Sequence, residues 1–253
     1  MSEDQQKRFD EYRVVVRDLA ARPEAEIREI FRRINATDYS LKQVEKLNAM
    51  FSGAYQRYCH DLSKQDFFSK HKVFRKADVN RMKDVTFCTT LVTTLLSTYF
   101  RRDEENAQFL ERYNEEFPQA TSIQQGLDLV FSFIEDGGFP DKCRVWGQTH
   151  LFTLIVELHQ ILVKDRRPLD AVACGQSLTQ FYSQVEAVHR SASEDEGKQI
   201  ESRVFRYYQA ALKATNEKYT RVARGEVIAE VLLSVTPPPK ATKPKRERKK
   251  RGV

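Results

Sequence analysis

Glycine and proline are both scarce, at 9 and 8 of 253 residues, and most prolines fall outside the periodic segments. That argues against a strand-and-turn architecture and for helices. No apolar run approaches the roughly 18–20 residues that a bilayer-spanning helix needs, so a membrane-spanning chain is excluded and a cytoplasmic location expected. The first eight residues, Met1 to Arg8, contain no apolar core of a secretory signal. Cysteine is limited to Cys59, Cys88, Cys143 and Cys174, widely separated and without a CxxC pair. Free buried thiols are the expectation in a chain without a secretory signal. A zinc set drawn from Cys59, His60, Cys143 and His150 lacks structural-zinc spacing, and no metal site is expected.

Self-contained catalytic signatures are lacking as well. The chain has no Walker-type glycine loop, no GxGxxG, no GxSxG, no HExxH and no His-Asn-His nuclease pattern. Its five histidines, His60, His71, His150, His159 and His189, form no motif. Glu157 and His159 stand two residues apart on an apolar helix, where such a pair points to different faces. The expectation is a buried imidazole and a solvent-facing carboxylate.

What is present is a soluble globular composition, 40% hydrophobic and 31% charged with mean hydropathy −0.61, too apolar for a chain disordered throughout. The net charge of +6 is unevenly placed. Residues 240–253 hold eight Lys or Arg and a single acid, which leaves residues 1–239 at net −1. The basic character therefore belongs to the tail, and a nucleic-acid argument from the whole-chain charge does not hold.

Along the chain, Tyr12-Arg-Val-Val-Val-Arg17 is the one good strand candidate, because β-branched side chains suit a pleated surface. A lone strand cannot satisfy its own backbone, so it needs a sheet from elsewhere. Pro23 and Glu24 open a helix carrying Ile27, Ile30, Phe31 and Ile34 on one face. Ser40 caps a second helix that runs to about Leu62. Residues 63–80 read as a short helix and a loop. Further helices are expected from Arg81 through Tyr99, over 103–116, over 121–135 capped by Thr121 or Ser122, and over the strongly apolar stretch from Trp146 to Val163. Three more follow, from Pro168 to about His189, over 196–215 and over 218–235. The threonines at 86, 89, 90, 93 and 94 lower helix propensity, so burial must hold that helix. Asp136-Gly-Gly-Phe-Pro140 is a stop signal, and residues 237–253 are a low-complexity basic tail expected to be disordered.

The richest polar constellation is Phe31-Arg32-Arg33-Ile34-Asn35, followed by Leu41-Lys-Gln-Val-Glu45-Lys-Leu47-Asn48. Arg32 and Arg33 near a helix C-terminus are favoured by the macrodipole, which makes solvated charge and capping one reading. Their planar guanidinium groups are equally well shaped for phosphate or nucleic-acid contact.

The segment from Tyr12 through Asn48 resembles the second half of the DUF262 domain, the N-terminal domain of GmrSD-type restriction systems. The shared pattern is a strand, an acidic helix start at Ala25-Glu-Ile-Arg-Glu-Ile30, then FRRIN, a short loop, and Leu41-x-x-x-Glu45-x-x-Asn48. The segment Tyr219-Thr-Arg221-Val-Ala-Arg224 is compatible with the helical region of that family. The resemblance implies a small ParB-like α/β unit, a helical part behind it, and a role in defence against foreign DNA. In the family an Asp-Gly-Gln-Gln-Arg motif is tied to nucleotide binding and hydrolysis. This chain lacks that motif. Asp4-Gln-Gln-Lys-Arg8 misses its glycine and carries an inserted lysine.

The expectation is thus a mainly α fold. Residues 1–62 would be the C-terminal part of a DUF262-like α/β unit, 63–236 a helical domain, and 237–253 a disordered tail. The rest of the sheet is expected to lie outside this chain, with Tyr12–Arg17 as the edge for a protein partner. No cofactor is expected in the chain itself; a nucleoside triphosphate and a divalent metal would come only with the missing part. No catalytic residue is assigned, and enzymatic activity stays open. Arg32, Arg33 and Asn35 are the candidates for nucleotide or nucleic-acid contact. Lys245, Arg246, Arg248, Lys249, Lys250 and Arg251 are the candidates for DNA phosphate contact from the tail. A scaffold role, or one half of an enzyme completed in trans, is the alternative.

Overall fold

The computed structural model describes residues 6–7, 21–23, 26–27, 29–30, 53–102, 104–191 and 202–235. The chain divides into two compact units, Met1–Met50 and Phe51–Val253. In the first, the amides of Glu26 and Ile27 donate to the Pro23 carbonyl at 2.9 and 3.2 Å, the opening turn of the helix expected after Pro23. Arg22 pairs with Glu26 at 3.1 Å on that turn. The strand candidate Tyr12–Arg17 and the Arg32, Arg33 and Asn35 cluster lie outside the described residues, as does the tail from 236 onward.

The second unit is helical, with no strand among its described residues. The helices are α1 (Ala54–Ser63), α2 (Asp66–Lys70), α3 (Lys76–Val79), α4 (Lys83–Leu96), α5 (Asn106–Arg112) and α6 (Ala120–Asp136). A 3₁₀ turn (Arg144–Trp146) leads into α7 (Gln148–Leu158), which runs on as a π-helical turn (His159–Lys164). Then come α8 (Ala171–Ser191), α9 (Ser202–Leu212) and α10 (Lys218–Ser234). No helix among the described residues is long and apolar enough to cross a membrane.

The most apolar stretch of the sequence becomes the axis of this unit. In α7, Leu151, Phe152, Leu154, Ile155, Val156 and Leu158 are all buried, as are the polar His150 and Thr153. Such a helix has no polar face and must be surrounded. It packs against α4, α6, α10 and the 3₁₀ turn. Its continuation widens to an i→i−5 pattern, with the Asp165 amide on the Gln160 carbonyl at 2.9 Å. Around it, α1 packs on α4, and α8, α9 and α10 pack on one another.

Burial does carry the threonine-rich α4. Thr89, Thr90, Thr93 and Thr94 are buried. Their hydroxyls are absorbed locally: Thr89 donates to the Val85 carbonyl at 2.9 Å and Thr94 to the Thr90 carbonyl at 2.8 Å. Thr93 shares a 2.8 Å hydrogen bond with the hydroxyl of the fully buried Tyr55 on α1. That tyrosine also donates to the Thr89 carbonyl, so α1 and α4 are joined by hydrogen bonds as well as by packing.

Several boundaries differ from expectation for local reasons. The helix expected from Arg81 begins at Lys83, because Met82 takes a left-handed conformation with φ 52°. It stops at Leu96, short of Tyr99. The helix expected from Thr121 begins at Ala120 behind Gln119, and the Ser122 hydroxyl turns back to the Gln119 carbonyl at 2.9 Å. The stretch 63–80 forms two short helices, α2 and α3. The stop after Asp136 is where expected, with Gly138 at φ 65°.

One close approach fixes how α8 crosses the end of α6. A Cβ on Gly175 would sit 1.9 Å from the Gly137 carbonyl oxygen, a backbone atom that cannot move aside cheaply. Gly175→Ala is therefore expected to destabilise the unit by about 2 kcal/mol or more, in the range of other strained small-to-large changes. Gly138→Asn is expected to cost far less, since asparagine tolerates a left-handed conformation and nothing lies within 4 Å of an added Cβ there. Urea unfolding of the two variants checks the contrast.

Candidate functional site

The polar groups that the helical unit brings together form two constellations, one deep and one near the surface. The deep one is built on α10, whose residues 221, 224, 228 and 231 follow one another along a single buried stripe. The last two are Ile228 and Val231, but the first two are arginines, 4% and 1% exposed. Arg224 donates from Nε to Thr153 Oγ1 at 3.2 Å, from Nη1 to the Ala210 carbonyl at 2.7 Å and from Nη2 to the Thr215 carbonyl at 2.9 Å. It thereby caps the C-terminal end of α9, where free carbonyls and the helix dipole favour a cation. Burial pulls its pKa below the ordinary guanidinium range. Arg221 donates to the Phe100 carbonyl at 2.9 Å and lies over the rings of Phe100 and Phe152, 5.2 and 5.4 Å from their centroids.

Beside the arginines, Glu157 departs from expectation. It is half-buried, not solvent-facing, and accepts a 2.7 Å hydrogen bond from the Tyr99 hydroxyl. Burial raises its pKa above the usual carboxylate value, and the Tyr99 bond opposes that shift. The side chain reaches this place because Gly225 leaves room: an added Cβ would lie 2.3 Å from Glu157 Oε1 and 2.9 Å from the Tyr99 hydroxyl. His159 is buried, as expected of the imidazole in that pair.

The second constellation runs inward from the surface. Glu186 on α8 forms a close ion pair with Nη1 of Arg144. Nε of Arg144 donates to Nε2 of His150 at 3.1 Å, and Nδ1 of His150 lies 2.8 Å from the Tyr207 hydroxyl. Because Arg144 can only donate, His150 Nε2 must be the bare nitrogen. The imidazole proton then sits on Nδ1 and is given to Tyr207. His150 is thus held neutral, with its pKa pushed down to about 3 by burial first and by the charges of Arg144 and Arg224 second. The chain opens on an exposed cavity of about 590 Å³ lined by Lys142, Cys143, Arg144, Thr179, Glu186 and Arg190, among others. Among the described residues of that lining, Lys142, Arg144 and Arg190 stand beside one acid, Glu186, which pairs with both arginines.

All four thiols are free; Cys59, Cys88 and Cys174 are buried and Cys143 is partly exposed. Burial pushes the Cys59 and Cys174 thiols up to about 12 and about 11, so both are neutral and unreactive at physiological pH. Among the described residues no group of three or more His, Cys, Asp or Glu is placed to hold a metal ion.

The sequence-derived candidates Arg32, Arg33 and Asn35, and Lys245, Arg246, Arg248, Lys249, Lys250 and Arg251, lie outside the described residues, so none is joined here to either constellation. Sequence reasoning did not single out Arg144 or Tyr207, weighed His150 only as a zinc ligand, and quoted Arg221 and Arg224 only as part of a segment compatible with the family's helical region. The last two carried a signal, since they extend the apolar stripe of Ile228 and Val231 by helical spacing. The other three come from separate elements and meet only through tertiary packing. Comparison with known families, with curated proteins and with solved structures finds no match to the chain.

The neutral histidines set a pH dependence. His159, like His150, is depressed by burial, to about 4. Both values lie below the ordinary imidazole value of about 6.5. Between about pH 6.5 and pH 4 the unfolded chain therefore binds more protons than the folded one, and these groups make stability fall as pH falls. The raised Glu157 acts in the opposite sense, losing stability as pH rises above its unfolded value. His150→Gln is expected to flatten the plot of unfolding free energy against pH in this window by close to one proton, about 1.4 kcal/mol per pH unit. An unchanged slope would mean that the folded protein already protonates His150.

Proposed function

We propose that this chain is a DUF262-like protein of DNA-directed defence, one that contacts nucleic-acid phosphate and holds no complete catalytic centre of its own. The observation that carries the reading is the order and spacing of the segment from Tyr12 to Asn48: the valine run of Tyr12-Arg-Val-Val-Val-Arg17, then Pro23, Phe31-Arg-Arg-Ile-Asn35, and Leu41-x-x-x-Glu45-x-x-Asn48. The Pro23 turn supports its second step, since the helix opens there. In this reading Arg33 contacts phosphate or an acidic partner group, and Arg32 and Asn35 are the further candidates for that contact. Nucleotide hydrolysis would need the Asp-Gly-Gln-Gln-Arg segment that this chain lacks, supplied by another segment or polypeptide paired to the Tyr12–Arg17 edge. A nucleoside triphosphate and a divalent ion would enter only with that segment.

The charge distribution favours a second contribution. Eight cations within residues 240–253, against net −1 for the rest, make the tail a sequence-independent phosphate binder. Each phosphate it neutralises steepens the salt dependence of binding by about 0.9 in log–log slope on duplex DNA.

Titration of fluorescent duplex DNA at several salt concentrations separates the contributions. The full chain is expected to bind with a steep salt slope, and deletion of 240–253 to cut affinity at least about tenfold at low salt and to flatten the slope. Arg33→Ala with Asn35→Ala is expected to weaken the residual binding of the deleted chain without lowering Tm. Full binding after both changes would place the contact elsewhere. Equal losses of Tm and affinity would make Arg33 and Asn35 a helix cap only.

A further inference from the structure

A cavity of about 300 Å³ lies between α4, α7 and α10, near the lower limit of volumes typical of small-molecule sites. Its wall is made by Thr86, Phe87 and Thr90 of α4, Gln148, Thr149 and Phe152 of α7, Thr215 and Asn216 of the loop before α10, and Arg221 and Arg224. Among the described residues the lining holds two guanidinium groups and no carboxylate.

Arg224 is the informative member. It is 1% exposed, and its hydrogen bonds go to a hydroxyl and two backbone carbonyls, all neutral acceptors. A guanidinium has five N–H donors, of which one on each nitrogen is engaged, by Thr153, Ala210 and Thr215. The carbonyls satisfy part of its hydrogen bonding and none of its net charge. A buried cation without a counter-charge is costly, and the cavity beside it is where an anion would relieve that cost.

The other lining groups are donors with capacity to spare. Thr90 Oγ1 accepts from Asn106 Nδ2 at 2.9 Å, which leaves its own proton for another acceptor. The hydroxyls of Thr149 and Thr215 and the amide side chain of Asn216 make no hydrogen bond among the described residues. Gly147 caps α7 without a side chain, so the first-turn amides of Gln148 and Thr149 stay open at a helix end that favours negative charge. The loop bearing Thr215 and Asn216 is held in a strained turn, with Ala214 at φ 52°. It is pinned by the Arg102 amide on the Asn216 carbonyl at 2.7 Å and by Glu217 between Arg101 and Arg102 at 2.9 and 2.8 Å.

We infer that this cavity binds the terminal phosphate of a small molecule, a phosphate monoester, with Arg224 and Arg221 as its cationic wall and Thr149, Thr90 and Asn216 as neutral donors. A monoester carries a charge of about −1.5 to −2 at neutral pH, opposite in sign to the buried Arg224 guanidinium that borders the cavity. The arginines are recessed, and a terminal phosphate can enter where the phosphodiester of a continuous nucleic-acid strand stays at the surface. The inference is independent of the resemblance that underlies the proposed function, because it uses no residue before Thr86.

Thermal unfolding and calorimetric titration of the full chain test it, with sodium phosphate, adenosine 5′-monophosphate, sodium chloride at matched ionic strength, and a short single-stranded DNA lacking terminal phosphate. Phosphate and the nucleotide are expected to raise Tm saturably and chloride is not. Thr149→Val with Asn216→Ala, two side chains without hydrogen bonds in the structure, is expected to keep the ligand-free Tm and to weaken phosphate at least about tenfold. Chloride matching phosphate would overturn the site, as would undiminished phosphate affinity in the double variant. Protection by the DNA without protection by phosphate or nucleotide would overturn the small-ligand assignment.

Discussion

Arg224 joins four pieces of the helical unit at one point. It stands on α10 and reaches the Thr153 hydroxyl on α7, the Ala210 carbonyl at the end of α9 and the Thr215 carbonyl in the loop that leads back to α10. Only a planar fork of donors can serve three acceptors spread in this way. The consequences radiate outward. With α9 capped, α9 and α10 form a closely packed pair. With Thr153 engaged from outside, the apolar α7 accepts a polar contact at its centre. The loop after α9 accepts the left-handed Ala214 because both ends of the turn are tied. All three acceptors are neutral, and that imbalance gives the neighbouring cavity its chemical character.

The same economy of charge runs through the rest of the unit. Several groups that could carry charge in the core are held neutral by burial: the Cys59 and Cys174 thiols are pushed up and His150 and His159 are pushed down, while burial also raises Glu157 against its Tyr99 bond. Hydroxyls are absorbed by their own helix, as in α4. The buried polar groups therefore act as braces, and among the described residues Arg224 is the buried cation whose hydrogen bonds all go to neutral acceptors.

Much of the helical unit was legible because its signal is local. The apolar run from Trp146 to Val163, the glycine stop after Asp136 and the long periodic stretches before and after it each depend on neighbours in sequence, and each became α6, α7, α8 or α10. The burial of α4 followed from its poor propensity alone. What was not legible depends on contacts distant in sequence. Arg144, His150, Tyr207 and Glu186 meet from a 3₁₀ turn and three different helices, and no spacing rule joins them. Glu157 turned inward because a glycine on α10 and a tyrosine beyond the end of α4 made room and supplied a donor. Arg221 and Arg224 were half-legible: helical spacing put them on the buried stripe, but a rule that sends charges to solvent hid them. The candidates at Arg32, Arg33 and Asn35 fall where the structure describes nothing, so their role rests on the sequence pattern.

The fork geometry of Arg224 is the claim on which this account stands, and urea unfolding of Arg224→Lys tests it most directly. Lysine keeps the positive charge but carries it on a single compact ammonium that cannot span three separated acceptors. Hydrogen bonds to charged groups contribute about 1.5–3 kcal/mol each. The account predicts a loss of about 3 kcal/mol or more in unfolding free energy. A lysine variant as stable as the parent chain would contradict it, showing that the charge alone, or the surrounding packing, holds these helices together.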